Sequence, residues 1–271
     1  MDIVENFLAL QDGRIHYLEL GKYGQQIHFL HANGFCAGTY VPLLKHLAKG
    51  FRVIASDIRG HGDSEFPNFK KVRHWQTMAQ DLKMLIETRM SFPIIGIGHS
   101  LGASITAMTA ALYPHLFSAV ILTDPVIFPS KLLWMIGMMR MLGLISFIPL
   151  ARGARRRKRI FTNKQDALKR FVSGRGIFKS WTEEFIHSYL DYALAIEEDE
   201  TAILKCNPEI EAQFYETVPL NIWQYVRKIR CPILVLRGEY SDTFLPDAAV
   251  RMKTRLLIAE WKLLLIPDIS C

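Results

Sequence analysis

Ser100 is the residue whose type and surroundings most directly promise chemistry. It lies in the stretch Pro93-Ile-Ile-Gly-Ile-Gly-His-Ser-Leu-Gly-Ala-Ser104. Ile94 to Ile97 reads as a short buried strand. Gly98-His99-Ser100-Leu101-Gly102 then turns, and Ala103 to Tyr113 reads as a helix stopped by Pro114. A serine flanked at two positions either side by glycine, between a strand and a helix, is the nucleophile-elbow pattern. Such a turn forces strained backbone at the serine, and strand and helix pass so close that side chains at 98 and 102 would clash. The hydroxyl is thereby held clear of the backbone. The Leu101 N–H stands at a helix N-terminus, where developing negative charge is favoured. The chemistry implied is attack of a serine oxygen on an acyl carbon.

The elements around this stretch must hold it. Phe7–Leu10 and Arg14–Leu20 read as strands joined at Gln11-Asp12-Gly13, a hairpin signal. Further strands are expected at Ile27–His31, Phe51–Ser56, Ala119–Thr123, Pro232–Leu236 and Trp261–Ile266. Helices are expected over about Thr39–Ala48, Trp75–Arg89 and Asp247–Ile258. This alternation predicts an α/β fold: a mostly parallel sheet of eight strands with helices on both faces. The rhythm lapses between residues 126 and 221. The chain therefore divides into a core, residues 1–125 and 222–271, and an inserted, mostly helical cap at 126–221.

The cap opens with an apolar run from Leu132 to Leu150, broken by Arg140, two glycines and Pro149, and so unsuited to span a membrane. Trp134, Met138, Met141 and Leu142 fall at helical spacing and are expected to present an apolar wall to a pocket. The basic run Arg155-Arg-Arg-Lys-Arg159 reads as a solvated helix face, with weak contact to anionic membrane as its functional alternative.

Composition bounds the rest. Half of the 271 residues are hydrophobic and 22% are charged, which excludes a disordered chain. The net charge of +7 is local: residues 151–170 hold nine Lys/Arg and one Asp. The basic balance is thus no argument for nucleic-acid binding. Cys36, Cys206, Cys231 and Cys271 have no metal or disulfide spacing, and the N-terminus has no signal-peptide pattern. A cytoplasmic protein with reduced thiols, no metal and no cofactor is expected. Composition sets no oligomeric state.

Gly98-His99-Ser100-Leu101-Gly102, Asn33-Gly34-Phe35, Asp57-Ile-Arg-Gly-His-Gly-Asp-Ser64 and Arg237-Gly-Glu-Tyr-Ser-Asp242 occur here in one order. Through them the chain resembles the α/β-hydrolase superfamily over nearly its whole length. The resemblance implies that Ser100 is the nucleophile and that the N–H groups of Leu101 and Phe35 form the oxyanion hole. Asn33-Gly34 stands where the family has His-Gly. Asp242 is implied as the acid that orients the base, with Glu239 as runner-up and Asp124 structural. Asp57, Arg59 and Ser64 are implied to be architectural. Asn33, Gly34 and His99 are expected beside the substrate.

None of His31, His61 and His99 occupies the family's base position. That position falls on Cys271, after the turn Pro267-Asp-Ile-Ser270. The expectation is a truncated or frame-shifted relative of an active serine hydrolase of small acyl compounds such as esters or thioesters. A thiol with its usual pKa is a poor substitute for imidazole. A non-catalytic protein that binds a small apolar ligand, and a membrane-surface protein, are the alternatives.

Overall fold

A computed structural model describes residues 2–67, 71–173, 178, 181–255 and 261–266. Strands β1 (Val4–Leu10), β2 (Gly13–Leu20), β3 (Gln26–Leu30), β4 (Arg52–Ser56), β5 (Ile94–His99) and β6 (Phe117–Thr123) alternate from β3 onward with α1 (Val41–Leu47), α2 (Gln76–Arg89) and α3 (Leu101–Leu112). Residues 126–221 contribute α4 (Ser130–Met141), α5 (Pro149–Arg155), β7 (Ile160–Phe161), α6 (Lys164–Val172), α7 (Glu183–Ala193), β8 (Leu194–Ile196), β9 (Ala202–Leu204) and α8 (Pro208–Glu216). The chain ends with α9 (Ile222–Val226), β10 (Ile233–Gly238), α10 (Pro246–Arg255) and β11 (Trp261–Ile266).

The main sheet has eight strands in the order β1-β2-β4-β3-β5-β6-β10-β11. β1, β2 and β4 pair antiparallel, and the other pairings are parallel. Parallel strands covered on both faces are mostly apolar, which is why the apolar stretches Val53–Ala55 of β4 and Ala119–Leu122 of β6 stand out in the sequence. Their residues alternate between two cores. Ile54, Ile94, Val120 and Val235 pack with Leu82, Met108 and Met252 on one side, and Val53, Ala55 and Ile97 pack with Leu44 and Tyr189 on the other.

The eight expected strands are all present. Residues 126–221 are less purely helical than expected, because β7, β9 and β8 form a small antiparallel sheet. Strands of two and three residues are too short to leave an alternating pattern.

The sheet order sets where a site can form. From β3 the chain crosses to β4 on one side, then returns to β5 on the other. Their C-terminal ends therefore diverge at a topological switch point, where open α/β sheets leave a crevice. The loop after β3 carries Ala32–Cys36, and the turn after β5 carries Ser100.

Candidate active site

Ser100 has φ +53° and ψ −112°, a conformation few L-residues adopt. Its N–H donates to the Thr123 carbonyl at 2.8 Å, which locks the turn to the neighbouring strand. The glycines on either side behave as the spacing required. A Cβ on Gly98 would stand 2.5 Å from the Ala103 nitrogen, and one on Gly102 would stand 2.2 Å from the Leu30 carbonyl oxygen. Both obstacles are backbone, so neither can give way cheaply. Leu101 is the first residue of α3, and its amide is one of the four that no carbonyl of the helix can reach.

Ser100 opens into a cavity of about 780 Å³. Asn33, Phe35 and Asp242 share that cavity with it, so four of the residues singled out in the sequence converge. Asp242 is exposed and accepts a hydrogen bond from Thr243 Oγ1 at 3.3 Å. Its loop is held from below by Arg237. That buried guanidinium donates to the carbonyls of Phe244, Glu239 and Ser241. Asp124 lies at the end of β6 with both carboxylate oxygens on the Gly238 N–H, at 3.1 and 3.2 Å. It ties β6 to β10, the structural part expected of it.

Other expectations need correction. The Phe35 N–H is engaged in a turn, donating to the Ala32 carbonyl at 3.2 Å, so it is not free. Gly34, at φ +77°, does not face the cavity with a surface of its own; a Cβ there would stand 2.9 Å from both Arg157 and Glu211. His99 is not among the cavity's lining residues. Its Nδ1 pairs with the Tyr40 hydroxyl at 2.7 Å, and burial, with His31 nearby, pushes its pKa down to about 4.

Trp134, Met138 and Met141 lie on the other side of α4, and Leu142 lies just past its end. Trp134, Met138 and Met141 border a separate surface groove with Leu220 and Trp223, and Leu142 is exposed. The cavity is lined instead by Leu132, Met135, Ile136 and Met139. A helix that is apolar all round offers no periodicity by which to choose its inward face.

The basic run is a solvated face only in part, Arg156 and Lys158 being exposed. Arg155 pairs with Glu209 and Glu216, Lys158 with Asp166, and Arg159 donates to the Leu204 carbonyl. Arg157 reaches the cavity wall and pairs with buried Glu211 at 3.1 Å. It is the cavity residue the sequence hid most completely, one cation in a run of five. Cys271, and the turn before it, lie outside the described residues.

All nine histidines lie within the described residues, and none lines the cavity. His31 donates from Nδ1 to the Ala32 carbonyl at 2.7 Å, and its Nε2 accepts the Ile58 N–H at 2.8 Å. That arrangement uses both nitrogens of a neutral ring. His61 is buried, bonded to Asn33 Oδ1 at 3.0 Å, and burial beside His31 lowers its pKa to about 3. His28 is buried against Ser56, and His16 against Asp57. His46, His74, His115 and His187 are exposed elsewhere.

An alternation of parallel strands and helices, with a strained serine at the switch point, defines an α/β-hydrolase architecture. The family model for the alpha/beta hydrolase fold matches residues 27–266, and the chain belongs to that family. Among curated relatives it is 34% identical over 109 residues to a type I acyl-CoA thioesterase of Penicillium brevicompactum, covering 36% of this chain and 25% of that one. It is 35% identical over 101 residues to 2-(acetamidomethylene)succinate hydrolase of Mesorhizobium japonicum, covering 37% and 36%. The matched stretches thus span about a quarter to a third of those relatives' length. Among solved structures, the thioesterase domain from the curacin biosynthetic pathway superposes with a TM-score of 0.78 at 18% identity, over 98% of this chain and 94% of that one. E-2-(acetamidomethylene)succinate hydrolase does so with 0.75 at 20%, over 98% and 91%.

A charge inside the cavity separates its wall from the outer groove. Met135→Lys is expected to weaken binding of a fluorescent fatty-acyl probe by about tenfold, the cost of removing one methionine from the apolar lining. Met138→Lys, on the outer groove, is expected to change it less than about twofold. Equal losses in a titration of the two variants would remove the distinction between the faces.

Proposed function

We propose that this chain carries the acyl-binding site and the nucleophile of a serine hydrolase acting on an apolar ester, thioester or related acyl compound. The observation that carries the reading is the strained Ser100 at φ +53°, opening into a cavity lined chiefly by aliphatic and aromatic side chains. Ser100 Oγ attacks the acyl carbon. The Leu101 N–H, at the positive end of α3, stabilises the oxyanion. Asp242 belongs to the same cavity as the charge that would orient an imidazolium. Residues 126–221 act as the cap, with α4 and α5 forming the apolar wall. The curated relatives named above are an acyl-CoA thioesterase and a 2-(acetamidomethylene)succinate hydrolase, which supports hydrolysis without choosing the leaving group.

A second reading rests on one observation, that no histidine lines this cavity. Without a base the same pocket serves as a binding site for a small apolar ligand beside an idle serine. A fluorophosphonate probe discriminates the two. Labelling at Ser100, located by peptide mass spectrometry and lost in Ser100→Ala, supports the hydrolase. Tight binding of a fatty-acyl ligand with Ser100 inert to the probe, in free imidazole as well, supports the binder.

A further inference from the structure

We propose that the apolar rim of the cavity, residues 131–156, is a docking surface for an anionic lipid bilayer. Seven of the nineteen exposed large apolar side chains among the described residues fall between positions 134 and 150. They include Trp134 at 69% exposure, Met141 at 72% and Phe147 at 60%. An apolar concentration of this kind on a surface marks an interaction site rather than scatter.

Its electrical surroundings select the partner. No Asp or Glu occurs from Pro125 to Gln165, whereas nine Lys/Arg do. Six of these nine are occupied within the molecule. Arg155, Arg157, Lys158 and Lys164 pair with carboxylates, and Arg140 and Arg159 donate to backbone carbonyls. Lys131, Arg152 and Arg156 remain exposed, with no acidic partner among the described residues. The carboxylates of Glu209, Glu211 and Glu216 are held by Arg155 and Arg157, so they do not cancel the remaining charge.

An apolar band flanked by free cations fits a bilayer bearing anionic headgroups: aromatic and aliphatic side chains enter the acyl boundary while cations pair with phosphates. A second copy of the same face fits less well, because the cations would meet across the two-fold axis. No helix among the described residues is long and apolar enough to cross a membrane, so the contact lies in the interface plane. The rim also has a direct connection to the interior. Met135, Phe147 and Leu150 are exposed and line the Ser100 cavity, so docking would set its mouth against the lipid.

Flotation of the full chain with vesicles tests this. The chain is expected to float with vesicles of phosphatidylcholine containing about one third phosphatidylglycerol, weakly with phosphatidylcholine alone, and progressively less as salt rises. Arg152→Gln with Arg156→Gln is expected to weaken binding by about thirtyfold, at about 1 kcal/mol per cation. Met141→Glu with Leu142→Glu is expected to weaken it at least as much, with an unchanged far-UV spectrum and melting temperature. Neither residue of that pair lines the cavity. Failure to float with either vesicle overturns the proposal, as does flotation indifferent to both variant pairs. A lipid-free dimer in light scattering that Met141→Glu with Leu142→Glu dissolves would assign the face to a second copy instead.

Discussion

Turnover of p-nitrophenyl acyl esters by the 271-residue chain is expected to run about 10⁴ to 10⁶ below that of a complete Ser-His-acid triad. The reason lies in where the histidines are. Ser100 and Asp242 line one cavity, but a serine hydroxyl is a weak nucleophile without a neighbouring base. His31 is the histidine nearest in sequence to the oxyanion loop, and both its nitrogens are committed, to Ala32 and Ile58. His99 ends the elbow strand, and its ring turns to Tyr40. Freeing either ring would break a buried hydrogen bond, at a cost of about 1–3 kcal/mol. Free imidazole at high concentration is expected to raise the residual rate, because a mobile base can enter a cavity of this size. Ser100→Ala is expected to abolish the imidazole-dependent part while leaving the melting temperature nearly unchanged. Rapid turnover without imidazole, lost in Ser100→Ala, would contradict the expectation and return the search for a base to His31, His61 and His99.

Asp57→Ala is expected to destabilise the fold by about 3–5 kcal/mol, the range for stripping one partner from a buried charge pair. Asp57 is buried at the end of β4, and its carboxylate is fully employed. Oδ1 accepts the Ala37 N–H at 2.6 Å, and Oδ2 accepts the Asp63 N–H at 3.1 Å and His16 Nδ1–H at 2.7 Å. Its carbonyl accepts the Ser64 hydroxyl at 2.8 Å. One side chain therefore joins β2, the loop after β4 and the turn that follows Asn33-Gly34-Phe35. A fall in melting temperature of about 10 °C is expected on this scale. A loss below about 1 kcal/mol in urea titration would show that the pair is not the joint described.

The same pair sets a pH dependence. Burial opposes a charge on His16, but its bond to Asp57 and the nearby carboxylates outweigh burial and raise its pKa above the ordinary 6.5. The stability it contributes is full below 6.5 and is lost as pH rises through the raised value. Burial likewise opposes a charge on Asp57, but the His16 bond, the neighbouring histidines and the Ala37 N–H prevail and hold its pKa below 3.8. That contribution is present above 3.8 and is lost as pH falls through the depressed value. Wild-type stability measured against pH should decline on both limbs, and Asp57→Ala should flatten both.

The sequence by itself determined the sheet and the elbow. Strands buried on both faces are mostly apolar, so the apolar centres of β4, β5, β6 and β10 were legible, whereas β3 carries the buried His28. Gly98 and Gly102 were legible because backbone approaches of this closeness tolerate no Cβ. Asp57 and Ser64 stood out as a polar, glycine-rich loop between predicted elements, and the structure makes them the joint that a tight turn requires. The tertiary structure decided everything that depends on which side of an element faces inward. Lys131 and Arg140 apart, α4 is apolar around most of its circumference. Choosing Met135 and Met139 over Trp134 and Met138 required knowing that Leu133 packs on the core and that Leu220 closes the other side. Arg157 could not be told from Arg155 or Arg156 in a run of like charges. The difference lies in Glu211, fifty-four residues away in the chain, which pairs with Arg157 beside Gly34. Likewise, no local pattern distinguishes a histidine poised over a serine from one committed to backbone. That distinction is a matter of which donors and acceptors the fold brings to the two ring nitrogens, and none of the nine histidines lines the Ser100 cavity.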